Sequence, residues 1–402
     1  MEQLEISEVF KAQEILKNVA IETPLSGPTN LSQNCELYLK AENLQLTGSF
    51  KLRGAYYKIS QLTDDEKSHG VVACSAGNHA QGVALGATRN GIRSLICLPT
   101  LAPISKVEAT KNFGAEICMV DGVYDDAYKK ALELRDEKGY TFIHPFNDPK
   151  VIAGQGTIGL EIIRQLPEVE AVVVPIGGGG LISGVAFAIK TLRPDVKIYG
   201  VQAEGAPSMK ESVAKNEITK LPSISTIADG IAVKEPGDLT FRMCQKYVDE
   251  IVTVSDDEIA AAILTLMEKQ KMVAEGAGAV AVAAVLFNKL PVEGKKVVCL
   301  VSGGNIDVNI LNRVITRGLV RSGRVVALTL DLPDKPGVLA EISKIISDEG
   351  GNVISVIHER SSNVANITSC QLHIEMETRN HSHVETIKSK LESAGYPIIK
   401  SY

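Results

Sequence analysis

Nowhere in the 402 residues do two cysteines stand in a CxxC spacing. The seven present (Cys35, Cys74, Cys97, Cys118, Cys244, Cys299 and Cys370) are odd in number and scattered. That excludes a disulfide frame or a cysteine metal cluster and reads as reduced, buried thiols of a cytoplasmic protein. No basic block occurs, and a net charge of −6 argues against nucleic acid or an anionic membrane surface as partner. No run reaches the ~18 apolar residues of a membrane span. The start, MEQLEISEVFKAQE, is acidic and amphipathic, unlike a secretory signal. What remains, with 45% hydrophobic and 22% charged residues, is the composition of a soluble globular enzyme. The length predicts two or three domains.

Up to about residue 320, short β-branched runs alternate with helical patterns. Strands are predicted at Gly70–Cys74, Ser94–Leu98, Glu116–Val120, Ala171–Pro175, Val196–Val201 and Lys296–Val301. Helices are expected at Gly77 to about Arg89 and around Ser105–Asn112. Continuous apolar strands separated by helices predict an α/β fold of doubly wound parallel sheets, with ligands at the carboxyl ends of the strands. The pattern changes at the polar stretch RSGR, Arg321–Arg324. A β-α-β-β-α-β order follows, with strands near 324–331, 351–359, 366–377 and 396–400 and helices near 337–349 and 382–394. The expected domains are therefore 1–320 and 321–402.

Three strands run into glycine-rich loops: CSAGNHAQG from Cys74, PIGGGGL from Pro175 and VSGGN from Val301. Gly177, Gly178, Gly179 and Gly180 lack a Cβ, so successive N–H groups can converge on an anion, and a helix starting near Leu181 adds its positive end. A dinucleotide fingerprint counted from Gly177 needs glycine where Ile182 stands, so one phosphate is preferred to a pyrophosphate. Earlier, TGSFKLRGA sets Lys51 between Phe50 and Leu52 with small residues on both flanks. A lysine in apolar company together with a phosphate cradle points to pyridoxal phosphate, the amine engaging the aldehyde.

SFKLRGA, SAGNHAQG, GGGGL and SGGN, in this order, resemble the fold-type II pyridoxal phosphate enzymes of the threonine ammonia-lyase (threonine dehydratase) family, over about residues 5 to 320. The resemblance implies two lobes of the tryptophan synthase β type clasping the cofactor. It makes Lys51 the cofactor-bearing residue and general base, with Phe50 beside the ring, Asn78 on the phenolic oxygen and Ser302 on the pyridine nitrogen. Gly177 to Leu181 would take the phosphate. Ser75, Ala76, Gly77, Asn78 and His79 would surround the substrate carboxylate, with His79 structural rather than acid–base. A neutral Ser302 hydroxyl favours elimination over transamination. Ala76 stands where related serine racemases carry a second serine, and its methyl cannot move a proton.

The expected reaction is dehydration and deamination of L-threonine to 2-oxobutanoate and ammonium, and of L-serine to pyruvate. No carboxylic acid stands in these motifs, so the cofactor phosphate is expected to protonate the leaving hydroxyl. Asp229 and Gly230 match a family loop near the active site. Glu204 and Ser208 lie where some relatives bind a cation, but Lys210 replaces the expected acidic ligand, so no metal is assigned. Rival readings are a serine dehydratase or racemase of the same fold, a nicotinamide oxidoreductase, and a non-catalytic amino-acid sensor. The trailing module, with DLPDKPGVL, resembles an ACT domain. That implies a homo-oligomer, dimer or tetramer, and allosteric control by isoleucine or valine, as in isoleucine biosynthesis, at Pro336, Gly337, Val338 and Leu339.

Overall fold

The computed structural model describes residues 4–360 and 369–401. Two compact units divide the chain, Met1–Asp307 and Val308–Tyr402. Among its described residues the first unit holds ten strands: β1 (Leu25–Thr29), β2 (Glu36–Lys40), β3 (Val71–Cys74), β4 (Ser94–Pro99), β5 (Glu116–Val120), β6 (Thr141–Phe142), β7 (Ala171–Pro175), β8 (Lys197–Ala203), β9 (Glu250–Val254) and β10 (Lys296–Leu300). They form two sheets, of order β1-β2-β10-β7-β8-β9 and β5-β4-β3-β6. Every neighbouring pair is parallel except β1 with β2, an antiparallel edge that the sequence patterning does not announce.

The apolar, β-branched runs become the central strands because helices cover both faces. Val71–Cys74 and Ala171–Pro175 are buried throughout. Among the cores that result, one gathers around Val174, Ile182 and Leu300 and another around Val71, Ile96 and Val83. The helix Lys51–Ser60 crosses the helix Pro149–Gln165 at Gly54 and Gly154. There a Cβ on Gly154 would come within 2.6 Å of Gly54 Cα, so only glycine permits the crossing.

That crossing is locked by buried charge. Arg53 Nε donates to Glu42 Oε2 at 2.8 Å, and its Nη2 reaches Glu161 Oε2 at 2.9 Å. Lys40 Nζ donates to Glu161 Oε2 at 2.5 Å and to the Thr23 carbonyl at 2.7 Å. Burial pulls Lys40 below its ordinary value, whereas Glu42, which burial alone would raise, ends below the usual carboxylate range because Arg53 faces it. Lys51 opens the same helix two residues before Arg53, so the network fixes its backbone.

In the second unit, β11 (Val325–Pro333), β12 (Asn352–Glu359), β13 (Ser369–Glu377) and β14 (Ile398–Ser401) form an antiparallel sheet of order β12-β13-β11-β14. Helices Val338–Asp348 and His381–Ser393 pack on it around Leu330, Ile342, Leu372 and Ile387. Residues 366–368 of the third expected strand lie outside the described residues. The helix Val308–Arg321 groups with this unit.

Candidate active site

The loops leaving β3, β7 and β10 carry the three glycine motifs. Gly179, at φ +96°, caps the helix Gly180–Leu192, which runs from β7. The backbone N–H groups from Gly177 to Leu181 have no hydrogen-bond partner among the described residues. Open donors at a helix start form a cradle for one phosphate. Phe146 and the turn Asp229–Ile231 wall this cradle. A Cβ on Gly180 would sit 2.8 Å from Phe146 Cβ, and one on Gly177 would sit 3.0 Å from Ile231 Cα.

Phe146 belongs to the segment His144-Pro-Phe-Asn-Asp148. Asp148 ends it by capping the helix that starts at Pro149, its Oδ1 accepting from Lys150 N at 2.8 Å. His144 Nδ1 accepts from Asn147 N at 2.8 Å, and burial drives this imidazole down to about 4, so it stays neutral. Lys51 Nζ donates to the Pro145 carbonyl at 2.9 Å and lies 5.3 Å from the Phe50 ring centroid. Burial lowers its amine to about 8, and the charge of Glu275 opposes that shift. The lysine is thus tied to the residue beside the one that rests on the cradle.

Ser302 is buried, its Oγ donating to the Ala277 carbonyl at 3.3 Å while its carbonyl accepts from Phe50 N at 3.2 Å. Asn78 opens the helix Asn78–Arg89. Its Nδ2 donates to Glu275 Oε1 at 2.6 Å, and its Oδ1 accepts from Asn305 Nδ2 at 2.7 Å. Ser75 Oγ accepts from Gly77 N at 3.1 Å, whereas the N–H groups of Asn78 and His79 have no partner among the described residues. Ala76 packs at the edge of the smaller core. His79 is buried, bonded through Nε2 to the Ile143 carbonyl at 2.8 Å, and burial lowers it to about 3.

Glu275 escapes the sequence reading: it stands outside the quoted motifs, none of which holds a carboxylic acid, and it reaches Asn78 only through the fold. It is 4% exposed, and burial raises it to about 7, with the charge of Asp229 adding to the rise. Phe146 and Pro145 escape it too, and Asn305, the last residue of the VSGGN motif, has no role assigned there. The available signals were the acid placed directly before Gly276-Ala-Gly278 at a helix start and the Asn-Asp-Pro cap after Phe146. Glu204 is exposed just beyond β8; Lys210 donates its backbone N–H to Gln202 Oε1 at 2.9 Å. Asp229 pairs with Lys106 at 2.6 Å.

Residues 17–303 match the family described as pyridoxal-phosphate dependent enzyme, and residues 326–395 match the ACT domain. The chain belongs to the pyridoxal-phosphate dependent enzymes. Within that family it is 53% identical to the L-threonine ammonia-lyase of Thermotoga maritima, over 98% of both chains. It is 46% identical to the Escherichia coli L-threonine dehydratase catabolic TdcB, over 77% of this chain and 95% of that one. The processed form of threonine deaminase isoform 2 from Solanum lycopersicum superposes with a TM-score of 0.73 at 40% identity, covering 78% of this chain and 94% of that one. As expected of a family member, the residues present fit pyridoxal phosphate: open N–H donors for its phosphate and a buried amine of lowered proton affinity for its aldehyde.

In the ACT unit, Pro336, Gly337, Val338 and Leu339 line a cavity of about 210 Å³ with His358 and Arg360. Gly337, at φ +93°, caps the helix Val338–Asp348. Arg360 pairs with Asp334 at 3.0 Å, and His358 Nε2 lies 2.8 Å from Cys370 Sγ.

Proposed function

We propose that this chain is a pyridoxal phosphate-dependent lyase that dehydrates L-threonine; the released enamine tautomerises to an imine, which takes water back to give 2-oxobutanoate and ammonium, and L-serine gives pyruvate by the same route. The carrying observation is Lys51: a buried amine lowered to about 8, held at Pro145 beside the Phe146 wall of the Gly177–Leu181 cradle. When bound, the cofactor links to the substrate amino group and withdraws electrons from Cα.

The chain's own residues do the rest. Gly177 to Leu181 would hold the phosphate through their N–H groups, and Phe50 would flank the ring. Asn78, fixed at both ends of its amide, would present a set direction to the phenolic oxygen. Ser302 Oγ, a neutral hydroxyl, would serve the pyridine nitrogen. The Asn78 and His79 N–H groups, with Ser75, Ala76 and Gly77 around them, receive the substrate carboxylate. Lys51 Nζ takes the Cα proton, which its lowered proton affinity allows near neutral pH. His79 and His144 stay uncharged and shape the walls. Ala76 supports no second proton transfer, which disfavours racemisation.

The ACT cavity is read as the effector site for isoleucine or valine, with Pro336, Gly337, Val338 and Leu339 at the carboxylate. The match to the catabolic relative covers 95% of that chain but 77% of this one. The additional length favours a controlled, biosynthetic role in isoleucine supply. A cytoplasmic homo-oligomer, dimer or tetramer, with domains 1–320 and 321–402, completes the reading; no helix among the described residues is long and apolar enough to cross a membrane. The test is borohydride trapping of the cofactor on the purified protein, with the label mapped, alongside ammonia release from threonine. Label away from Lys51, or no ammonia, would overturn the assignment.

A further inference from the structure

We propose that Glu275 is a positioning residue of the cofactor site: it clamps the Asn78 amide and presents its charge to the Lys51 amine. The inference rests on the reading of Lys51 and Asn78 given above.

The geometry carries it. Glu275 occupies the N-cap position of the helix Gly276–Leu286, yet its side chain caps nothing there. It turns instead to Asn78, 197 residues away in sequence, at 2.6 Å. Room for the carboxyl comes from the glycine loop after β10. A Cβ on Gly303 would collide with Glu275 Oε1, and the Gly303 carbonyl accepts from Glu275 N at 3.1 Å. Gly303 therefore serves the carboxyl as well as the turn. At the other end of the amide, Asn305 Nδ2 donates to Asn78 Oδ1 and also to the Thr47 carbonyl at 2.8 Å. With a carboxyl on its nitrogen and an amide N–H on its oxygen, Asn78 cannot flip without losing both bonds.

The charge of the clamp is variable. Burial raises the carboxyl to about 7, Asp229 adds to the rise, and Asn78, Lys106 and Lys51 act against it. Lys106 is itself paired with Asp229. Ionised Glu275 strengthens the hydrogen bond to Asn78 and favours the protonated Lys51 amine; protonated Glu275 weakens the clamp and frees the amine. The carboxyl that orients the site thus also opposes, above its own titration, the base that Lys51 must become.

The experiment uses the full-length protein stripped of cofactor and reloaded with pyridoxal phosphate across a pH series, following the visible absorbance of the bound cofactor. Reloading of the parent rises with pH through about 8, where the Lys51 amine loses its proton. In E275Q the acceptor oxygen stays and the charge goes, so the midpoint moves to lower pH. In E275A the clamp is lost, and kcat for threonine falls by ~10- to 100-fold, as expected for a buried hydrogen bond to a charged group; E275Q falls by less. A midpoint in E275Q equal to the parent's, or E275A turning over like the parent, overturns the proposal. Melting temperatures identify an unfolded E275A, in which case the E275Q midpoint decides. A parent that fails to bind the cofactor at Lys51 would instead overturn the functional reading, so the two failures are distinguishable.

Discussion

The Phe146 ring lies against Gly178 so closely that a Cβ on the glycine would penetrate the ring. The tetraglycine therefore does two things: its N–H groups stay open to an anion, and its bare Cα atoms let an aromatic wall close behind them. Gly178→Ala must displace Phe146, and overpacking of this kind costs about 1–3 kcal/mol. Because Pro145, the neighbour of Phe146, holds Lys51 Nζ, the displacement reaches the amine. The variant is expected to bind pyridoxal phosphate ~5- to 100-fold more weakly, read from equilibrium dialysis. Unchanged affinity would mean that the wall is not part of the cradle.

Lys51→Ala removes the proposed cofactor anchor and the proposed base together. Its ammonia release from threonine is expected to fall by more than the ~10²–10⁴ of losing general-base catalysis alone. The visible band trapped by borohydride should vanish with it. Near-parental turnover would sink the assignment.

How far the sequence discloses this site depends on how local each part is. Asn78, the four glycines and Ser302 follow strand ends in short motifs, and Lys51 opens a helix in a short motif of its own, so the turn chemistry is written in neighbouring residues. The βαββαβ order of the ACT unit was legible for the same reason, since apolar alternation such as that of Val326, Leu328 and Leu330 marks a half-buried strand. Glu275 was not legible: its partners Asn78 and Gly303 are distant in sequence, and a glutamate before a Gly-Ala helix reads as an ordinary start. The edge pair β1 and β2 was missed because Leu25-Ser-Gly-Pro-Thr29 has neither alternation nor an apolar run. Nothing in SFKLRGA marks Arg53 as buried, and only the fold brings Glu42 and Glu161 to it.

That buried network supplies a stability prediction. Glu161 accepts from Lys40 and Arg53, both almost wholly buried. Glu161→Ala leaves two cations short of a partner, and breaking a buried pair in this way costs about 3–5 kcal/mol. The melting temperature should drop well below that of Glu168→Ala, a surface control whose pair with Lys296 is solvent-exposed. Such exposed pairs contribute roughly 0–1 kcal/mol. Equal shifts in the two variants would show that the network is not what locks the Lys51 helix.

The last prediction concerns the ACT cavity. Gly337, at φ +93°, turns the chain into the helix Val338–Asp348, whose first residues line the same cavity as His358 and Arg360. A free amino acid brings a carboxylate to the donors of a helix start and an apolar side chain to the flank of Val338 and Leu339. To change activity it must bind one conformational state better than another, and couplings of this kind shift apparent affinities by ~5- to 150-fold. Saturating isoleucine or valine is therefore expected to move the threonine concentration at half-maximal rate by ~5-fold or more. Gly337→Val forces a β-branched residue into the left-handed region, which distorts the turn. That variant should lose the response while retaining the Lys51-bound cofactor and basal turnover, because its turn belongs to the second compact unit. If neither amino acid alters the saturation curve or the melting temperature of the parent, the cavity is not a site for these effectors and the ACT unit reverts to a structural role.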